Sequence, residues 1–130
     1  MSKIAFIYPG QGAQKAGMGQ DFYENSKSAK AVFDKASDIL GLDMNALCFE
    51  ENDKLNQTEY TQICMLAVEA SILKAVETQG IQSDVNAGLS LGEYGAVIAS
   101  GVMSLKDAVR VVRQRGIYMQ EAVPAGGAMT

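Results

Sequence analysis

Ser90 lies in Gly88-Leu89-Ser90-Leu91-Gly92, directly after an apolar strand-like run and directly before a helix-like one. A nucleophile elbow requires that context: a sharp strand-to-helix turn lifts the serine oxygen clear of the backbone. The flanking glycines leave room for neighbouring chain where a Cβ would clash. The same turn aims the first N–H groups of the next helix at whatever the serine attacks. The spacing alone also fits an ordinary turn. Arg115 is the second residue of interest. On a helix following Ser104, the apolar stripe runs through Leu105, Ala108, Val109, Val112, Gly116 and Met119. Arg115 falls at the edge of that stripe beside Ala108, whereas Arg110 points away and Arg113 borders the opposite flank. An arginine near a core face needs an anion, since an unpaired buried charge costs ~3–5 kcal/mol. An internal salt bridge, a snorkelling side chain or a bound substrate carboxylate would each supply a solution.

Gly10-Gln11-Gly12 follows the first strand at the end where α/β sheets bind ligands. As a phosphate cradle it fails the specific patterns, with Lys15 where Gly-x-Gly-x-x-Gly demands glycine and no Gly-Lys-Ser/Thr. Two readings remain: a plain turn, or a loop that brings a backbone N–H beside the elbow as a second oxyanion donor. Glu93 sits in the first turn of the helix after Ser90, where the helix dipole favours a carboxylate. Cys48 and Cys64 are the only cysteines and form no Cys-x-x-Cys pair; two buried free thiols are expected, with no metal site. The chain contains no histidine, so a Ser–His or Cys–His unit cannot be completed within it.

These groups need elements to hold them. Ile4-Ala5-Phe6-Ile7-Tyr8 is a continuous apolar run stopped by Pro9-Gly10, and predicts a strand buried on both faces. Helical spacing of Val32, Phe33, Ala36, Ile39 and Leu40 predicts a helix from Ser26 to about Leu40, stopped by Gly41. Asp43 to Glu59 predicts a short helix and a loop. Thr61 to Gln79 predicts a helix with one stripe of Ile63, Leu66, Ala67, Ala70, Leu73 and Val76, ended by Gly80. Val85 to Leu89 predicts the second strand, Leu91 to Ser100 a helix of small residues, and Ser104 with Asp107 a capping pair for a last helix ending near Ala122. The pattern predicts α/β layering. Two parallel strands alone leave unpaired edges, so the chain is expected to be the front part of a larger protein.

With 130 residues, 48% of them hydrophobic and 20% charged, the composition is that of an ordinary globular domain. The net charge of −4 with scattered Lys and Arg argues against a nucleic-acid surface. No apolar run approaches the roughly 20 residues that span a bilayer, and no signal-peptide core is present; a cytoplasmic location with no membrane partner is expected.

Several segments together resemble one family: Phe6-Ile7-Tyr8-Pro9-Gly10-Gln11-Gly12-Ala13-Gln14, Gly17-Met18-Gly19, Leu55-Asn56-Gln57-Thr58 with Thr61-Gln62, Gly88 to Tyr94, and Arg115-Gly116-Ile117-Tyr118-Met119-Gln120. In this order they are similar to the malonyl-CoA:acyl-carrier-protein transacylases of fatty-acid synthesis, and to the related acyltransferase domains of polyketide synthases. The resemblance implies that Ser90 takes a malonyl group from coenzyme A as an ester and passes it to the phosphopantetheine thiol of acyl carrier protein. It implies an oxyanion hole from the N–H groups of Gln11 and Leu91, a carboxylate clamp at Arg115 and an active-site role for Gln62. It implies no bound cofactor, with malonyl-CoA as substrate and the phosphopantetheine carried by the partner protein. The implied fold is an α/β-hydrolase-like large subdomain, with residues 1–125 as its N-terminal part and 126–130 beginning the connection to a ferredoxin-like small subdomain.

Two departures from the family pattern stand out. Leu89 occupies a position most often held by histidine, and the family's general-base histidine comes from a later segment than any in this chain. Two other functions therefore stand beside the transacylase: a serine hydrolase using the same elbow, and a catalytically incomplete fragment or interaction module.

Overall fold

The computed structural model describes residues 2–125, so the expected connection at residues 126–130 lies outside the described residues. Two strands and six helices follow one another as β1 (Ala5–Tyr8), α1 (Gln20–Asn25), α2 (Lys27–Leu40), α3 (Met44–Phe49), α4 (Thr58–Thr78), β2 (Val85–Gly88), α5 (Gly92–Ala99) and α6 (Leu105–Ala122). The strands pair in parallel, with Ala5 opposite Val85 and Tyr8 opposite Gly88, so both run toward the elbow end. The α/β expectation holds in this form: a small parallel sheet with helices beside it.

Local signals account for most helix boundaries. Ser26 caps α2 by accepting from the Ala29 N–H at 3.3 Å, and Gly41 closes it in the left-handed region at φ 64°. Asp43 caps α3 by accepting from Ala46 N–H at 3.0 Å. Ser104 caps α6 by accepting from Asp107 N–H at 3.1 Å, the pairing expected from the sequence. Helix α1 has no counterpart in the sequence reading. It is a six-residue turn with no buried residue of its own, anchored by Tyr23 packing edge-on against Phe33 and Phe49. Such a short segment carries no periodicity to detect.

Helix α4 is the hub. Instead of the single stripe expected, residues on all its sides are buried, including Thr61, Gln62, Ile63, Leu66, Ala70, Ser71 and Leu73. It lies between α2 and α6, which explains the all-round apolarity: a helix with neighbours on several faces has no solvent side to keep polar. Cys48 and Cys64 are buried free thiols, and Cys48 Sγ donates to the Cys64 carbonyl at 3.9 Å. Side-chain hydrogen bonding with Cys64, together with burial, holds the Cys48 thiol far above its ordinary range, which removes it as a nucleophile.

The expectation that β1 is buried on both faces fails. Tyr8 is buried and Phe6 half-buried on the side facing the helices, while Ala5 is exposed and Ile7 is 79% exposed. On β2, Val85 and Ala87 lie across from them and are exposed too. Alternation along a strand sends successive side chains to opposite faces, and helices cover only one face here.

One buried group stands out electrostatically. Glu69 on α4 is 8% exposed and neither carboxylate oxygen has a hydrogen-bond partner among the described residues. Desolvation pushes its carboxyl up from the ordinary 4.5 to about 8. Between those values the folded state holds a proton that the unfolded state has lost, so stability falls as pH rises from about 4.5 to 8. Urea unfolding at pH 5 and pH 8 checks this. Glu69→Gln should flatten that fall and stabilise the fold at pH 8 by on the order of 2–4 kcal/mol, with little effect at pH 5.

Candidate active site

The elbow is built by backbone contacts too close for any side chain. A Cβ on Gly92 would sit 2.1 Å from the Tyr8 carbonyl oxygen, and one on Gly88 would sit 2.1 Å from the Gly92 carbonyl. Only glycine permits the end of β2, the start of α5 and the end of β1 to meet in this way. Between these glycines Ser90 adopts φ 52°, alone among the described non-glycine residues in having a positive φ. The left-handed region is costly for a residue with a Cβ, and the surrounding close packing enforces it. The result is an exposed Ser90 at the head of α5, as the strand–turn–helix pattern predicts.

The glycine-rich loop after β1 lies against this turn. A Cβ on Gly10 would come within 2.6 Å of the Leu89 carbonyl oxygen and 3.6 Å of the Ser90 Cβ. The next residue, Gln11, is thereby carried to the rim of the elbow. Its side chain donates from Nε2 to Thr58 Oγ1 at 3.0 Å. Gln14 steadies the same loop, accepting from Gly12 N–H at 2.7 Å and donating to Asn56 Oδ1 at 3.0 Å. Asn56 and Thr58 are thus braces that no spacing rule singles out, because their partners lie more than forty residues away. At the head of α5 the N–H groups of Gly92, Glu93 and Tyr94 are spent on the carbonyls of Leu89, Ser90 and Leu91. The N–H groups of Leu91 and Gln11 donate to no acceptor among the described residues. Glu93 is exposed on the first turn, where the dipole favours it, and Leu89 is 72% exposed beside the serine.

Arg115 completes the cluster. From α6 its guanidinium donates through NH2 to Ser90 Oγ at 3.2 Å and through NH1 to Gln62 Oε1 at 2.6 Å. It also stands 5.6 Å from the centre of the Tyr94 ring. Gln62 is 1% exposed, and its amide is oriented from behind by donation from Nε2 to Met119 Sδ at 3.0 Å. Met119, counted on the apolar stripe, is in fact 39% exposed at this rim. Gly116 makes the crossing possible: a Cβ there would meet the Glu59 Cα at 3.1 Å, so α6 lies tightly on α4 and brings Arg115 to Gln62.

The contrast with Arg113 removes the internal salt bridge, among the described residues, from the alternatives open in the sequence. Arg113, two residues earlier, pairs with Glu59 at 3.6 Å and donates to the Glu59 carbonyl at 2.8 Å. Arg115 has no carboxylate within 4.0 Å among the described residues; its partners are all neutral. A half-buried guanidinium held by neutral acceptors keeps its charge available for an anion brought from outside. The elbow geometry is testable directly. Gly92→Ala should destabilise the fold by about 2 kcal/mol or more in denaturant unfolding, since the clash is with backbone and not with a movable side chain. Gly12→Ala, whose Cβ would meet nothing within 4 Å, should cost clearly less despite its positive φ.

A family model for the acyl transferase domain matches residues 5–130. The malonyl CoA-acyl carrier protein transacylase of Bacillus subtilis is 47% identical over 99% of this chain, which corresponds to 41% of that protein. The crystal structure of the transacylase of the same name from Clostridium perfringens superimposes with a TM-score of 0.90 at 45% identity, covering 97% of this chain and 40% of that one. A malonyl-transacylase solved in complex with its type II polyketide synthase acyl-carrier protein gives 0.90 at 40% identity, over 96% of this chain and 41% of that one. The chain therefore spans about two-fifths of the length of these relatives. On the family match and on these likenesses, the chain belongs to the acyl transferase domain family.

Proposed function

We propose that this chain carries the acyl-accepting centre of a malonyl-CoA:acyl-carrier-protein transacylase, within the α/β-hydrolase-like large subdomain of a cytoplasmic enzyme. The observation that carries this reading is the anion-free Arg115 guanidinium at 3.2 Å from Ser90 Oγ. In a malonyl ester on Ser90 the free carboxylate is separated from the ester carbonyl by one methylene. A clamp immediately beside the nucleophile suits that short diacid, and an acetyl group would leave it empty.

In the first half-reaction Ser90 Oγ attacks the thioester carbonyl of malonyl-CoA. The Oγ–C bond forms, the C–S bond breaks, and the serine proton passes by way of a base to the departing thiol. The chain holds no histidine, so that base lies outside these residues, in keeping with the family's later histidine. The N–H groups of Gln11 and Leu91 meet the oxyanion that develops, from the two sides of the turn. Gln62 acts on Arg115, fixing its fork through the 2.6 Å hydrogen bond so that the second amino group faces the acyl site. In the second half the phosphopantetheine thiol of acyl carrier protein attacks the malonyl ester, the Oγ–C bond breaks and the proton returns to Ser90. Neither half calls for a resident cofactor. The relative solved with an acyl-carrier protein supports that partner.

A polypeptide of the relatives' full length carrying this sequence, incubated with labelled malonyl-CoA and acetyl-CoA, tests the reading. Malonyl label should accumulate on Ser90 and vanish in Ser90→Ala. Arg115→Ala should lower malonyl labelling by about 100-fold or more while changing acetyl labelling little. Preferential acetyl labelling that is quickly lost to water would instead establish a serine hydrolase.

A further inference from the structure

Met119 alone among the methionines of the described residues is exposed. Met44 and Met65 are buried in the core, and Met18 and Met103 are half-buried. Its thioether is also tied to the site, because Sδ accepts from Gln62 Nε2 at 3.0 Å. The same planar amide presents Oε1 to Arg115 NH1 at 2.6 Å, and Arg115 NH2 reaches Ser90 Oγ at 3.2 Å. A sulfur at the rim is thus joined to the nucleophile by a chain of hydrogen bonds. Other groups that oxidants attack are absent or shielded. The sequence has no tryptophan, and both cysteines are buried, with the Cys48 thiol held far above its ordinary range. Exposure and thioether chemistry single out Met119 among the described residues.

Oxidation at that atom cannot leave Gln62 where it is. An oxygen bonded to Sδ on the line toward Gln62 would overlap the amide nitrogen, since the two heavy atoms are already in contact at 3.0 Å. With the oxygen pointing elsewhere, sulfur has given up a lone pair and gained positive polarity, and an already weak acceptor is lost. Backbone movement offers little relief. A Cβ on Gly116 would meet the Glu59 Cα at 3.1 Å, so α6 already lies close against α4. The adjustment falls on the Gln62 amide, whose Oε1 moves with its Nε2, and Arg115 loses the partner that fixes its fork.

We propose, on the reading of Ser90 and Arg115 given above, that Met119 is a site of sulfoxidation by hydrogen peroxide, and that the sulfoxide releases Gln62 and loosens the Arg115 clamp on the malonyl carboxylate. A lone pair of Sδ attacks one peroxide oxygen, and the S–O bond forms as the O–O bond breaks. The departing hydroxide takes the proton of the transferred oxygen and leaves as water. Sulfur is oxidised by two electrons and the peroxide reduced by two. A thiol-dependent reductase reverses the change, the oxygen leaving as water while two thiols join as a disulfide.

The test treats a polypeptide of the relatives' full length carrying this sequence with hydrogen peroxide. Tandem mass spectrometry should find oxygen on Met119 before Met44 and Met65. In protein isotope-labelled on glutamine nitrogen, the Gln62 side-chain amide resonance, assigned by its loss in Gln62→Ala, should move on oxidation. The malonyl-CoA KM should rise about threefold or more, while kcat for malonyl transfer and the rate of acetyl labelling change less than about twofold. Methionine sulfoxide reductases of both epimer specificities should restore the starting KM. Met119→Leu, which has no sulfur, should begin with a raised KM and show no response to peroxide. The proposal is overturned if Met119 oxidises no faster than Met44 and Met65, if its full oxidation leaves the Gln62 resonance in place, or if KM rises by less than about threefold. Failure of the untreated enzyme to take malonyl on Ser90 would overturn the functional reading instead, and the mass spectrum and amide resonance would still decide whether Met119 governs Gln62.

Discussion

The structure of the site depends on one steric constraint: three stretches of backbone meet where no side chain fits. Gly92 lies against the Tyr8 carbonyl and Gly88 against Gly92, so the ends of β1 and β2 and the start of α5 are locked in one arrangement. Ser90 has no freedom to relax into an ordinary turn, and the chain accepts a positive φ at a residue with a Cβ. The same contact sets Gly10 against Leu89 and so carries the Gln11 loop to the rim. Placement of the hydroxyl and of two unspent backbone donors follows from that single close approach.

Electrostatics is organised by where carboxylates are absent. α6 presents two arginines to α4 within one turn, and the helix crossing gives them different fates. Arg113 finds Glu59 and is neutralised; Arg115 finds the Gln62 amide, the Ser90 hydroxyl and the Tyr94 ring. Neutral partners orient a guanidinium without cancelling its charge, which is the condition for recognising an external anion. Gln62 can serve because its own amide is held by the Met119 sulfur, so its carbonyl is not free to rotate away. The converse case is Glu69, a buried acid with no hydrogen-bond partner among the described residues.

Much of the frame was legible before any coordinates. Both strands, the two long core helices, the α6 cap at Ser104 and the stops at Gly41 and Gly80 all follow from local chemistry acting within a few residues. Reading β1 as buried on both faces went wrong because apolarity records what a strand can bury, and not what is present to cover it. The single stripe assigned to α4 was too narrow for a related reason: the number of neighbours around a helix is not written in its own period. Nothing in the sequence marked Asn56 and Thr58 as braces of the loop at Gln11 and Gln14.

By itself the sequence determined the elbow, since glycine spacing and the strand-to-helix change are short-range properties, and it placed Arg115 at the edge of a buried stripe through helical geometry alone. It could not choose which arginine of α6 forms an internal salt bridge to α4. That choice belonged to the tertiary structure, which put Glu59 beside Arg113 and Gln62 beside Arg115 through the tight crossing at Gly116. Coulombic and hydrogen-bond partners more than fifty residues apart are selected by how helices pack, and packing angles are a property of the whole core and not of any one segment.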